Sequence, residues 1–240
     1  MIDSARALGV DAFVTTRSGG VSDAPYDSLN LGDHVGDDPA RVRENRRRVA
    51  DAAGVGEHDL IIVPQVHGRE VVELTGPGDG AIAPADALVT SSRHLALAIL
   101  VADCVPVLLM DPLRERIAVV HAGWRGLVAG VLEAALARFE RVEDVHVVVG
   151  PAISGDRYQV GPDVATHFRD VPGALRADHG DRSLLDLTRV VEWRVRGAGV
   201  ADERLTTSDE RTDDRATFFS DRAARPCGRF ALVARLHPST

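Results

Sequence analysis

Short apolar runs with little polar alternation recur along the chain, at Leu60–Val63, Val71–Leu74, Leu95–Val101, Val105–Met110, Ile117–Val120, Val145–Val149 and Phe230–Leu236. Bounded by turn formers, such runs predict strands, and their near-uniform apolarity predicts strands covered on both faces. Ala12–Thr16 reads as a further short strand, which enters a loop rich in Gly, Pro, Asn and Asp over Ser18–Asp37. Helical signals lie between these runs. Asp38 is placed as an N-cap before Pro39, Gly54 as the stop, and Val42, Val49 and Ala53 share one face between them. Leu127–Phe139 and Leu187–Val195 also carry apolar residues at helical spacing. Between Asp156 and Asp186 the signal weakens, and Thr206–Arg215 reads as a polar loop. No repeat, low-complexity tract or linker interrupts the succession, so the expectation is an α/β (α+β) fold built as one domain over residues 1–240.

Composition changes this picture in one respect. All 28 basic residues other than histidine are arginine, and the chain contains no lysine. Schiff-base chemistry, a lysine general base and a Walker-A phosphate loop are excluded, because each needs the ε-amino group. The net charge of −8, with arginines scattered among 36 acids, argues against a nucleic-acid partner. The longest apolar run, Leu95–Ala102, is too short to span a bilayer, and Asp3 and Arg6 interrupt any secretory h-region. Two cysteines, Cys104 and Cys227, give no disulfide framework. The expectation is a cytoplasmic protein with no membrane partner.

Three of the apolar runs share a feature, a potential metal ligand at or just beyond the end. His67 closes Val63-Pro-Gln-Val-His67-Gly, Cys104 closes Leu100-Val-Ala-Asp-Cys104, and His121 opens His121-Ala-Gly-Trp-Arg125-Gly. Strand ends that converge on one sheet edge are where α/β proteins build sites. Two histidines and a thiolate suit zinc with an open fourth position, although the spacing lacks a CxxC or HExxH signature and reads equally as three unrelated buried side chains. Arg125 lies in the turn that opens a helix, where a guanidinium can grip an anion. Arg17, in Thr15-Thr-Arg-Ser-Gly-Gly20, leaves a strand into a glycine turn in the same way. Trp124 reads as core or as a platform for a planar substrate.

The segments Thr15–Ser22, Ser28–Pro39, Gln65–Gly68, Ala85–Thr90, Ala102–Pro106, His121–Gly126 and Phe218–Arg222 resemble, in order, those of the YfiH family, also called the laccase-domain, polyphenol oxidase or peptidoglycan editing factor family. The likeness runs from about Phe13 to Leu232. It implies a mixed β-sheet core flanked by helices, related to bacterial cytotoxic-factor deamidases. It also implies a zinc-dependent purine nucleoside phosphorylase that cleaves adenosine, inosine and S-methyl-5′-thioadenosine with phosphate, with adenosine deaminase side activity. His67, Cys104 and His121 correspond to the family's metal ligands. Thr207-Ser208 and Ala223 depart from the family pattern, where a cysteine-threonine pair and a second arginine are common.

Phosphorolysis places an anionic nucleophile at C1′ and stabilises a departing purine. Zinc, with copper as the less favoured metal, is the expected cofactor; Arg125 and Arg17 are the expected phosphate ligands. Asp103 is expected to orient a histidine ligand or the ribose hydroxyls, and Asn30 and His34 to hydrogen-bond ribose or base. The expected partners are a purine nucleoside and phosphate, acting on a monomer or homodimer. Three other readings compete. One is a cysteine hydrolase with Cys104 as nucleophile and His121 as base, another a copper-dependent polyphenol oxidase, and the last a peptidoglycan editing factor that works without catalysis.

Overall fold

The structure, a computed structural model, describes residues 2–76 and 82–238. In chain order its strands are β1 (Val10–Val14), β2 (Leu60–Ile61), β3 (Val71–Leu74), β4 (Ala87–Thr90), β5 (Ala96–Val101), β6 (Val105–Asp111), β7 (Arg116–Ala122), β8 (His146–Val149), β9 (Gln159–Val160), β10 (Leu175–Ala177), β11 (Ser183–Leu185), β12 (Leu205–Thr207) and β13 (Phe230–Leu236). The α-helices are α1 (Asp3–Arg6), α2 (Pro39–Ala53), α3 (Trp124–Ala129), α4 (Val131–Leu136), α5 (Pro162–Ala165) and α6 (Leu187–Gly197). A four-stranded sheet runs β1-β13-β5-β2 and a six-stranded sheet runs β12-β8-β6-β7-β4-β3; both mix parallel and antiparallel pairs. A small antiparallel sheet, β10-β11-β9, stands apart from them.

The side-chain alternation of each strand shows how the layers stack. In β5, Leu97, Ile99 and Val101 pack with Leu108, Met110, Ile117 and Val119 of the six-stranded sheet, so the two sheets face each other. The alternate residues Ala96, Ala98 and Leu100 face Val49, Ala50 and Ala53 of α2. On the far side of the six-stranded sheet, Val107, Leu109, Ala118 and Val120 pack under Leu132 and Leu136 of α4 and Val190 and Val191 of α6. The order is helix, sheet, sheet, helices. Each sheet is covered on both faces, which is why its strands read as continuous apolar runs.

Helix α2 forms where the capping residues place it. The Asp38 carboxylate accepts from the Ala40 amide at 2.8 Å, and Gly54 ends the helix at a φ of 67°. Several expected bounds shift. The helix expected over Leu127–Phe139 begins at Trp124 and breaks at Gly130, which takes a φ of 87°. The strand expected over Leu60–Val63 keeps two residues, and Ala12–Thr16 moves to Val10–Val14. The weak region from Asp156 to Asp186 holds the small sheet and α5, and the expected loop from Thr206 starts inside β12. β4 carried no strand expectation although its residues are buried throughout.

Ile99 is fully buried between the sheets. Truncation to alanine is expected to cost about 2–5 kcal/mol, read as a lower urea midpoint at unchanged m-value; a loss within error would show that the sheets do not pack there as described.

Candidate metal centre

Strand register brings the three ligands together. In the antiparallel β6–β7 pair Pro106 faces His121 and Val105 faces Ala122, so Cys104, just before β6, comes beside Gly123, just after β7. Between β5 and β6 the chain leaves one sheet for the other through Ala102–Cys104, and Asp103 makes that corner with a φ of 92°. His67 sits at a φ of 58° in the loop after β2. Left-handed backbone in a non-glycine residue persists only where its surroundings enforce it, and both positions show what does so.

For His67 the enforcing group is Asp86, completely buried just before β4. Its carboxylate accepts from the backbone amides of Val66 at 3.2 Å, His67 at 2.9 Å and Gly68 at 2.7 Å. The same carboxylate accepts from His121 Nδ1 at 2.8 Å, while its carbonyl accepts from the His121 amide at 2.7 Å. Gln65 adds a second hold. Its amide pairs with the Leu100 backbone in both directions, at 2.7 and 2.8 Å, tying the His67 loop to β5. Asp103 is enforced differently: its side chain accepts from Thr212 Oγ1 at 2.6 Å and from the Arg222 amide at 2.7 Å, and its carbonyl accepts from the Ile153 amide at 3.0 Å.

The ligand atoms of His67, Cys104 and His121 all lie within 4.8 Å of one another. The two imidazoles meet edge to face at 4.7 Å between centroids. His121 is buried, Cys104 half-buried and His67 exposed, so the group opens on one side. Because Asp86 accepts the Nδ1–H of His121 and keeps that nitrogen protonated, Nε2 is the nitrogen left to ligate a metal. The Cys104 thiol resists ionisation because it is buried, yet the neighbouring His121 and His67 outweigh burial and bring it down to about 6. His121 is opposed by burial too and is raised to about 9 by the Cys104 thiolate and Asp86. A thiolate is therefore present at neutral pH. One thiolate and two imidazoles fit zinc with a position left open, and the same soft and borderline donors accept copper. Among the described residues this is the one such group, a set for a single ion.

The centre opens into a cleft of about 760 Å³. Asp103, Arg125 and His34 line it, and His34 is exposed beside Asp33. The Arg125 guanidinium carbon lies over the Trp124 ring, 4.4 Å from its centroid, and Trp124 packs against the core and stacks with His167. Two expected positions stand elsewhere. Arg17 donates to the carbonyls of Asp27 and Arg215 and pairs with the Asp27 carboxylate, outside the cleft lining. Asn30 is fully buried, with its amide spent on Gly32, Asp37 and Arg229; it fastens the Ser18–Asp37 loop. Asp103 orients no histidine, because that work falls to Asp86, which the sequence reading passed over. The signal for Asp86 was its place in the Ala85–Thr90 segment of the family resemblance, at the mouth of a strand that carried no strand expectation.

A family described as "Multi-copper polyphenol oxidoreductase laccase" matches residues 11–237. The chain belongs to this laccase-domain family. Among its relatives, the purine nucleoside phosphorylase YfiH of Escherichia coli is 40% identical over 228 residues, covering 93% of this chain and 92% of its own length. A purine nucleoside phosphorylase of Mycobacterium tuberculosis is 40% identical over 228 residues, covering 91% of this chain and 89% of that protein. The solved structure of YlmD from Geobacillus stearothermophilus superposes with a TM-score of 0.90 at 31% identity, covering 96% and 93% of the two chains. That of the hypothetical protein YfiH from Bacillus licheniformis gives 0.89 at 32% identity, covering 95% and 92%. The laccase-domain fold with its mixed sheets and flanking helices is thus as the sequence resemblance implied. No helix among the described residues is long and apolar enough to cross a membrane.

Gly123 shows how tightly the centre is drawn. A Cβ there would stand 2.9 Å from Cys104 Sγ and 3.1 Å from His67 Cδ2. Gly123→Ala is expected to lose bound metal on dialysis while the fold melts near its usual temperature; full metal retention would contradict the geometry. In metal-stripped protein, the rate of Cys104 alkylation by iodoacetamide should rise with pH around a midpoint near 6, and His121→Ala should move that midpoint upward. A wild-type midpoint near the ordinary thiol value of about 8.5 would show that no thiolate–imidazolium pair forms.

Proposed function

We propose that this chain is a zinc-dependent purine nucleoside phosphorylase whose reaction takes place in the cleft over His67, Cys104 and His121. The observation that carries the reading is a single three-donor centre opening into a cleft of about 760 Å³ that arginines line. Relatives with this family's fold bear the phosphorylase name at about 40% identity over nine-tenths of the chain. The volume suits a nucleoside together with a small anion. Zinc bound here supplies a Lewis-acid position facing the cleft.

The chain's own groups supply the rest. Asp86 keeps His121 Nδ1 protonated and the ring fixed, and Cys104 is ready as a thiolate, so the donor set holds an ion on loss of the His121 Nε2 proton alone. The Arg125 guanidinium, stacked on Trp124, presents its N–H edge to an oxyanion. Phosphate held beside C1′ is then delivered from a bound state, and the positive charge of the cleft stabilises the purine as it leaves with the bond electrons. Adenosine, inosine and S-methyl-5′-thioadenosine are the substrates in this reading, yielding the base and the corresponding ribose 1-phosphate. Adenosine deamination is a side reaction of the same centre. The partners are these small molecules, the setting cytoplasmic, and the chain a monomer or homodimer.

A specific observation favours a second reading. Cys104, His121 and Asp86 form a thiolate, imidazole and carboxylate relay of the kind that serves cysteine hydrolases. Incubation with adenosine separates the two. Phosphorolysis predicts adenine and ribose 1-phosphate only when phosphate is present, with activity lost on chelation and restored by zinc. Full activity in metal-free protein, or adenine released without phosphate, would overturn the phosphorylase mechanism; inosine alone would make the protein a deaminase.

A further inference from the structure

The arginines that line the cleft fall into two groups. Arg46 pairs with Asp33 at 3.2 Å, and Arg225 and Arg229 share Asp221. Arg125 and Arg222 pair with no carboxylate among the described residues. Each lies over an aromatic ring instead, Arg125 at 4.4 Å from the Trp124 centroid and Arg222 at 4.8 Å from that of Tyr158. Stacking of this kind fixes the guanidinium plane and leaves its N–H edge to a ligand. Arg222 donates one Nη to the Gln159 carbonyl at 2.8 Å, so Nε and the second Nη are not spent.

Tyr158 ties the pair together. Its hydroxyl is pushed up to about 12, first by burial and then by the Cys104 thiolate, with Asp103 adding to the rise and Arg222 and Arg125 acting in the opposite direction. Tyr158, Arg125 and Arg222 line the same cleft as Cys104. Two guanidiniums that make no ion pair among the described residues, on one cleft, are available to an anionic ligand. Arg222 is also held in place by its backbone amide, which donates to Asp103 at 2.7 Å. Asp103 immediately precedes Cys104, so one corner of the chain fixes both a metal ligand and a cation.

We propose that Arg125 and Arg222, each laid over an aromatic ring on the same cleft, form the clamp for the phosphate co-substrate, with Asp103 positioning Arg222. The clamp rests on the phosphorolytic reading for its ligand, and it replaces Arg17 with Arg222. The test uses zinc-loaded wild type, Arg125→Ala, Arg222→Ala and Arg222→Lys, titrated calorimetrically with inorganic phosphate and assayed for the KM of phosphate and of adenosine separately. Each alanine variant should weaken phosphate by about tenfold to a hundredfold in both Kd and KM, with the adenosine KM near wild type. Arg222→Lys, which keeps the charge and loses the fork, should fall between; it decides the matter if Arg222→Ala does not fold.

Calorimetry needs no turnover, so the two ideas fail separately. Phosphate binding that depends on both arginines, in a protein that makes no sugar phosphate, overturns the phosphorylase reading and leaves the clamp. Phosphate-dependent turnover with unchanged phosphate Kd and KM in both alanine variants overturns the clamp and leaves the reading. Equal loss of phosphate and adenosine affinity, or no phosphate binding by wild type, also overturns the clamp.

Discussion

A carboxylate with no access to water must be compensated or it will not stay charged. Asp86 is compensated four times over, by three consecutive backbone amides of the Val66–Gly68 loop and by the His121 ring. Burial alone would raise its pKa, yet these donors, His121 foremost, bring it below the ordinary carboxylate range. The same four bonds do structural work on two ligands at once. They hold His67 in a left-handed conformation that it would otherwise leave, and they lock the ring and tautomer of His121. Remove the charge and two of the three ligands lose their constraint together.

The third ligand depends on a different constraint, the corner between sheets. The chain passes from β5 in one sheet to β6 in the other through three residues, which forces Asp103 out of ordinary backbone space and turns Cys104 toward β7. Register then sets how closely the ligands approach, with Gly123 as the residue small enough to stand opposite Cys104. The close approach produces the electrostatics. The Cys104 thiol and the His121 imidazole share a buried space, so each stabilises the charged form of the other against the cost of burial. A donor set suited to a metal ion and a thiol ionised at neutral pH follow from one piece of folding.

Much of this was legible because it is local. Apolar runs marked the main strands, Asp38, Pro39 and Gly54 marked α2, and His67, Cys104 and His121 each stood at the end of an apolar run. What escaped was set by partners distant in sequence. Asp86 lies 18 to 20 residues from the amides it caps and 35 from His121, so although the Ala85–Thr90 segment carries part of the family resemblance, nothing local to it assigns Asp86 a role. Arg17 and Arg125 have the same local pattern, a strand end running into a glycine turn; only the tertiary structure shows that Asp27 neutralises the first while the second faces the cleft. Asn30 likewise reads as a free amide until Asp37, Gly32 and Arg229 are seen to use it. The break at Gly130 was visible as a residue, but a glycine within a helical pattern does not by itself say that the chain will turn there.

The central claim is that Asp86, which touches no metal, governs the centre. Metal content and affinity of Asp86→Asn against wild type, by elemental analysis after dialysis against graded competing chelator, address it most directly. The account predicts about one metal ion per chain in wild type and an affinity about 10–100-fold weaker in the variant, with the global fold retained by circular dichroism. Wild-type affinity in a folded Asp86→Asn protein would contradict it.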